Sequence, residues 1–207
     1  AWSHLRGQAG RFGGISADFL RYFGDARPTP ACTWTSMYPK FTAECPFSTG
    51  QFDVLLDGLQ SAGVRLLFDL NELTGRNCTH PAFQPWQPNQ WCGDPPNPWN
   101  TTPVRGLLQH IRDRGMEGMV GFELGNEPFK PPHLSPAVAN ADIGTAAELF
   151  QEIFAAVEPP IMYAHGTNDC LERNNSDTMA ALEAVPFPSG FSMHSYPGGG
   201  AGGTGTM

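Results

Sequence analysis

Apolar residues recur along this chain with two periods that take turns. Phe52, Leu55, Leu56 and Leu59 fall at i, i+3, i+4 and i+7, with Ser48 and Thr49 as candidate caps ahead of them and Gly63 as a stop, which predicts a helix. Val104, Leu107, Leu108 and Ile111 repeat the spacing and end at Gly115. Ala146, Leu149, Phe150, Ile153, Phe154 and Val157 form the strongest stripe, closed by Pro159 and Pro160. A weaker helix runs from the cap candidate Asp177 through Met179 and Leu182 to Val185. After each helix comes a short apolar run of strand length: Val64 to Leu70, Met119 to Leu124, Ile161 to Ala164 and Phe191 to His194. An earlier strand ends near Arg11-Phe12-Gly13-Gly14. Helices alternating with short buried strands predict right-handed βα units over a parallel sheet.

Such a sheet is either an open doubly wound one or a (β/α)8 barrel. No GxGxxG follows the first strand and no Walker A motif occurs, so nucleotide-binding open sheets lose their main support. The strand from Val64 carries a second hint. Val64, Leu66, Phe68 and Leu70 share one face, and Arg65, Leu67, Asp69 and Asn71 share the other. A face bearing Arg and Asp is hard to bury under helices but fits a barrel interior, where charges pair, and Glu123 would join that network. The expectation is therefore α/β architecture with a barrel-type interior and long Pro-rich insertions. One insertion, Leu73 to Asn100, holds Trp86, Trp91 and Trp99; it reads either as a tied surface loop or as indoles lining a sugar cleft. Residues 23–48 form a second, less aromatic excursion.

Composition narrows the function classes. The 207 residues are 40% hydrophobic with 14 Phe and 5 Trp, enough to bury a sizeable core. Net charge is −8 and the 12 Lys and Arg are scattered, so nucleic acid is excluded as an expected partner. No apolar run approaches the roughly 18 residues of a membrane span. Among 24 Gly and 20 Pro, the stretch Pro197 to Gly203 is low-complexity. The five cysteines, Cys32, Cys45, Cys78, Cys92 and Cys170, never form a CxxC pair, which argues against zinc ribbons and thioredoxin-type motifs. Local disulfides would join Cys32 with Cys45 and Cys78 with Cys92, leaving Cys170 over. Three glycosylation acceptors, Asn77, Asn100 and Asn174, sit in loop-like contexts and point with the cysteines to a secretory route, secreted or lysosomal.

The candidate chemistry lies in Met119-Val-Gly-Phe-Glu-Leu-Gly-Asn126-Glu127-Pro128. A buried strand runs directly into Asn126 and Glu127, and the C-terminal rim of a barrel strand is where catalytic residues collect. A carboxylic acid there can protonate a leaving glycosidic oxygen and later deprotonate water, while the neighbouring amide holds a sugar hydroxyl. No metal or cofactor is called for.

The segments Arg11-Phe-Gly-Gly-Ile-Ser-Ala-Asp18-Phe19, Leu66-Leu-Phe-Asp-Leu-Asn71, Trp99-Asn-Thr, Phe122-Glu-Leu-Gly-Asn126-Glu127-Pro128 and Ser192-Met-His194-Ser-Tyr196, in this order, resemble heparanase-like glycosidases of glycoside hydrolase family 79, a retaining clan of (β/α)8 enzymes. The resemblance spans about Leu5 to Tyr196. It implies that Glu127 is the acid/base on the fourth barrel strand with Asn126 beside it on the sugar. Gly14 and Ser16 would lie on the second strand, Asn71 on the third, and His194 and Tyr196 on the sixth, Tyr196 orienting the nucleophile. Ile15 departs from the Thr or Ser that commonly follows the two glycines. The nucleophile belongs on a seventh strand, and the sequence enters at the second and stops after the sixth. Residues 1–207 therefore read as one incomplete barrel domain, strands two to six of eight, inactive alone. The substrate implied is a glucuronic-acid-containing glycan, less sulfated than heparan sulfate given the acidic charge. A non-catalytic carbohydrate- or partner-binding module and another retaining endo-β-glycanase of the clan are the alternatives.

Overall fold

Each of the four predicted helices is present in the computed structural model, which describes residues 9–14, 17, 20–22, 45–72, 98–125, 134–165 and 175–192. Helix α1 (Thr49–Ser61) starts at a capping box: the Gln51 N–H donates to Ser48 Oγ (3.2 Å) and the Ser48 N–H donates to Gln51 Oε1 (2.8 Å). It buries Phe52 and Leu56 and stops at Gly63, whose positive φ of 67° turns the chain into β4 (Arg65–Leu70). Helix α2 (Thr102–Asp113) opens with Pro103 and buries the whole predicted stripe Val104, Leu107, Leu108 and Ile111. Helix α3 (Pro136–Ile153) begins well ahead of the stripe that marks it, because its first turns are Ala- and Gly-rich and their signal is the Ser135 cap with Pro136 behind it. Val157, the last residue of that stripe, lies beyond the helix end and is exposed. Helix α4 (Asn175–Glu183) starts two residues before the expected Asp177 and anchors through Leu182.

The main sheet comprises β1 (Ala9–Phe12), β4, β5 (Val120–Leu124), β6 (Met162–His165) and β7 (Ser189–Ser192), in the spatial order β1-β4-β5-β6-β7 with every pair parallel. The order never reverses, as it would in a doubly wound sheet, so right-handed crossovers all fall on one face. Leu66, Phe68, Leu70, Val120, Phe122, Leu124, Met162 and Ala164 point to that face. There they form one core with Phe52 and Leu56 of α1, the α2 stripe, Phe150 and Leu149 of α3, and Leu182 of α4. Phenylalanine rings knit it together, Phe68 to Phe52 and Phe122 to Phe150 both at 5.4 Å between centroids and nearly perpendicular. The strand expected from Phe191 starts two residues earlier, at Ser189, and is described as far as Ser192, with Met193 and His194 outside the described residues. The Pro188 carbonyl accepts from the Met162 N–H (3.2 Å), so pairing begins at Ser189 opposite Met162.

A pair of three-residue parallel strands, β2 (Leu20–Tyr22) and β3 (Cys45–Phe47), lay outside the sequence expectation. Tyr22 and Phe47 fold onto Phe68 and close the core near β1 and β4. On the outer surface, Asp53 of α1 receives hydrogen bonds from His110 Nε2 (2.7 Å) and Arg114 (2.6 Å), tying α1 to the end of α2. Arg105 of α2 grips Glu152 of α3 through both guanidinium nitrogens. No helix among the described residues is long and apolar enough to cross a membrane.

Candidate functional site

The alternation that sends Leu66, Phe68 and Leu70 to the helices sends Asp69 to the opposite face, and the parallel register sets it beside Glu123 on β5. Both carboxylates are buried, Asp69 to 0% exposure and Glu123 to 1%, as the polar strand face predicted. The charge that compensates them is Arg11 of β1. Its Nε donates to Glu123 Oε2 (2.6 Å) and its Nη2 to Asp69 Oδ2 (3.2 Å). The hydroxyl of Ser192 on β7 donates to Glu123 Oε1, so one network ties β1, β4, β5 and β7 together. Tyr163 lies next in the cross-strand row, beside Glu123 and against Gly190, and burial pushes its phenol above the usual value. Arg65, the arginine on the same strand face as Asp69, sits instead at the other end of β4. There it lines a cleft of about 290 Å³ with Glu117, Glu158 and Pro188.

At the C-terminal ends of the strands the backbone is held tightly. Gly13 has no room for a side chain, since a β-carbon would stand 2.8 Å from Asp69 Cβ and 2.9 Å from Arg11 Cζ. Gly14 adopts a φ of +92° and its N–H donates to Asp69 Oδ2 (3.2 Å). Asn71 is fixed on three sides. Its backbone N–H donates to Tyr22 Oη (2.7 Å), its side-chain amide to the Leu20 carbonyl (2.8 Å), and its own carbonyl accepts from Trp99 Nε1 (3.0 Å). Beside it, Glu72 is buried to 1% and lies against Gly125, the residue that ends β5 with a φ of +64°. The Gly125 N–H donates to the Leu70 carbonyl (3.1 Å), so the exits of β4 and β5 are bonded to each other.

The structure thus brings Gly14 and Asn71 to neighbouring strand ends, with the polar groups named above already engaged by Asp69 and Leu20. Glu127 and Asn126 follow Gly125 directly in sequence and lie outside the described residues. So do Ser16, His194 and Tyr196, the acceptors Asn77 and Asn174, Trp86 and Trp91, and Cys32, Cys78, Cys92 and Cys170. The third acceptor, Asn100, is exposed ahead of α2, its Oδ1 accepting from the Thr102 N–H (3.1 Å). Trp99 is buried with its indole N–H on Asn71, a structural anchor.

Sequence reading passed over Arg11, Tyr163, Ser192 and Glu72 as site residues. For Glu72 a signal existed, a carboxylate placed immediately after a buried strand; Ser192 carried none, since a lone serine in a short strand is unremarkable. Chemically, the two ion-paired carboxylates form a rigid floor rather than reactive groups. They tie four neighbouring strands to one another across the polar face of the sheet.

No protein family and no curated protein matches the chain by sequence. Among solved structures, the arginine decarboxylase of Paramecium bursaria Chlorella virus is similar at a TM-score of 0.41 and 15% identity over 67% of this chain. The chain spans 36% of that protein's length.

Proposed function

We propose that the chain is the acid/base half of a heparanase-like, retaining glycosidase that hydrolyses β-glucuronosyl linkages, built on strands two to six of a (β/α)8 barrel. One observation carries the reading: the fully buried strand β5, inside a parallel sheet of unreversed order, delivers its chain through Gly125 into Asn126-Glu127-Pro128. The two outer strands support the barrel. Among the described residues β1 and β7 form the edges of the sheet and are only partly covered, whereas β5 is buried at every position, the pattern of a sheet continued at both edges.

In this mechanism Glu127 protonates the glycosidic oxygen as the leaving group departs, then removes a proton from the water that hydrolyses the glycosyl-enzyme intermediate. Asn126 holds a sugar hydroxyl, and Gly14, Ser16, Asn71 and His194 frame the subsite around it. Tyr196 orients the nucleophile, a carboxylate about 5 Å from Glu127 contributed by a strand adjoining β7. The cycle needs proton transfers and a covalent carboxylate ester, and no cofactor. Glycans on Asn77, Asn100 and Asn174 would accompany passage through the secretory route to the cell exterior or the lysosome. The acidic net charge of −8 favours a glucuronide of low sulfation over heparan sulfate.

The test is release of a chromophore from an aryl β-glucuronide and from neutral aryl β-glycosides by the product of the complete reading frame, beside its Glu127→Gln variant. Glucuronide turnover that falls at least 100-fold in the variant is expected. Turnover of neutral glycosides alone would move the reading to another endo-β-glycanase of the clan. Inertness towards all of them would leave a carbohydrate- or partner-binding module.

A further inference from the structure

We propose that Glu72 is a positioning residue for the acid/base, holding the turn at Gly125 through which β5 delivers Glu127. The inference rests on the glycosidase reading for its functional half; its structural half stands on the geometry of the two strand exits.

Glu72 leaves β4 on a segment with no freedom to adjust. Asn71, its neighbour, is held by Tyr22, Leu20 and Trp99 through hydrogen bonds of 2.7, 2.8 and 3.0 Å, from β2 on one side and the segment leading into α2 on the other. The Glu72 side chain is thereby laid across Gly125. A β-carbon at Gly125 would overlap the Glu72 carboxylate outright, and would stand 3.3 Å from Glu72 Cβ and 3.5 Å from its Cδ. The carboxyl group therefore occupies the volume where any other residue would carry its side chain. Gly125 holds a φ of +64°, a left-handed conformation that only glycine adopts without strain, and its N–H is bonded to Leu70 of the same β4 exit. The turn is fixed from below by that hydrogen bond and from the side by Glu72.

Two residues later comes Glu127. General acid catalysis is demanding in geometry, and a displacement of about 1 Å can cost about 100-fold in rate. A glycine turn without a lateral stop has several conformations open to it; one packed by a buried carboxylate has few. Glu72 acts through the backbone, not on substrate.

The experiment has two arms on the product of the complete reading frame, comparing wild type, Glu72→Gln and Glu72→Ala. Amide hydrogen exchange reads the turn directly. Glu72→Ala should speed exchange in a peptide covering residues 121–130 about tenfold, with α1, α2 and α3 unchanged, and Glu72→Gln, of the same shape, should restore most of the protection. The kinetic arm uses leaving groups of different acidity. Misplacing the acid should lower kcat/KM, which reports the glycosylation step, about 100-fold for a poor alkyl leaving group and less than about threefold for a 2,4-dinitrophenyl glucuronide, which leaves unaided. Unchanged exchange at 121–130, exchange raised throughout the protein, or equal loss on both leaving groups would each overturn the proposal. The two readings fail separately. If Glu127→Gln costs no activity, or no glycoside is turned over, the glycosidase reading falls, and the exchange arm alone decides whether Glu72 holds the turn.

Discussion

Replacing Arg11 with Met removes a cation that bridges Asp69 and Glu123 while keeping most of the side chain's apolar stem. Both carboxylates are buried and sit side by side in the β4–β5 register, so the variant leaves two like charges on neighbouring strands that lie about 4.8 Å apart. Breaking a buried ion pair from one side costs about 3–5 kcal/mol. Arg11 is itself 31% exposed and water would reach part of the vacated space, which places the expected loss at the lower end, about 3 kcal/mol. Against a total stability of about 5–15 kcal/mol this is severe. In urea, with a slope of about 2 kcal/mol per molar, the midpoint should fall by about 1.5 M with the slope unchanged. Adding Glu123→Gln to Arg11→Met should recover part of the loss, because it removes one of the two neighbouring like charges; Glu123→Gln alone should destabilise. A midpoint shift below about 0.5 M, or a double variant weaker by the sum of the two single effects, would refute the claim that Arg11 is the counter-charge of the floor.

Three other outcomes follow from the same geometry. Gly190→Ala would set a methyl group 2.7 Å from the Tyr163 ring and should destabilise by about 1–3 kcal/mol in thermal unfolding, with much of the loss relieved by Tyr163→Leu. Trp99→Phe deletes the donor to the buried Asn71 carbonyl and should cost about 1–3 kcal/mol, read by the same melt. Asp53 is held below its ordinary value of 3.8 by the His110 hydrogen bond first and Arg114 after it. Its contribution is therefore fully present above the unfolded-state value and lost as pH falls through the lower folded one. The stability gap between wild type and Asp53→Asn, discounted to under about 1 kcal/mol for solvent exposure, should shrink between about pH 5 and pH 3. A gap that widens on acidification would contradict the assignment.

Much of the fold was legible because the helices announce themselves twice, by spacing and by punctuation. The α2 stripe with Pro103 before it and Gly115 after it leaves little choice, and the β4 alternation named both the core face and the charged face before any coordinate. The first half of α3 was missed because Ala139 buries well but carries almost no periodic contrast with its Ala- and Gly-rich neighbours. The β2–β3 pair was missed because three residues are too few to show a period, and their pairing is decided by Phe47 and Tyr22 reaching Phe68 across more than twenty residues of sequence. The start of the last strand was set two residues late because its pairing begins from the carbonyl of Pro188, a backbone feature that hydropathy does not register. The buried polar face was legible at Asp69 and Glu123, where charge and strand alternation coincide, while Asn126 and Glu127 lie outside the described residues. Arg11 as the counter-charge was not, because which arginine meets a buried carboxylate depends on strand register, and Arg65 and Arg11 are equally plausible in one dimension.

The central claim is that the carboxylate delivered by β5 is the acid/base of a retaining glycosidase. Azide rescue of Glu127→Ala tests it most directly. With a 2,4-dinitrophenyl β-glucuronide the first step needs no acid, and azide, which needs no base to attack, should restore turnover at least tenfold and yield the β-configured glucuronosyl azide by proton NMR. An α-configured azide would make Glu127 the nucleophile instead, and no rescue from an otherwise folded variant would contradict the account.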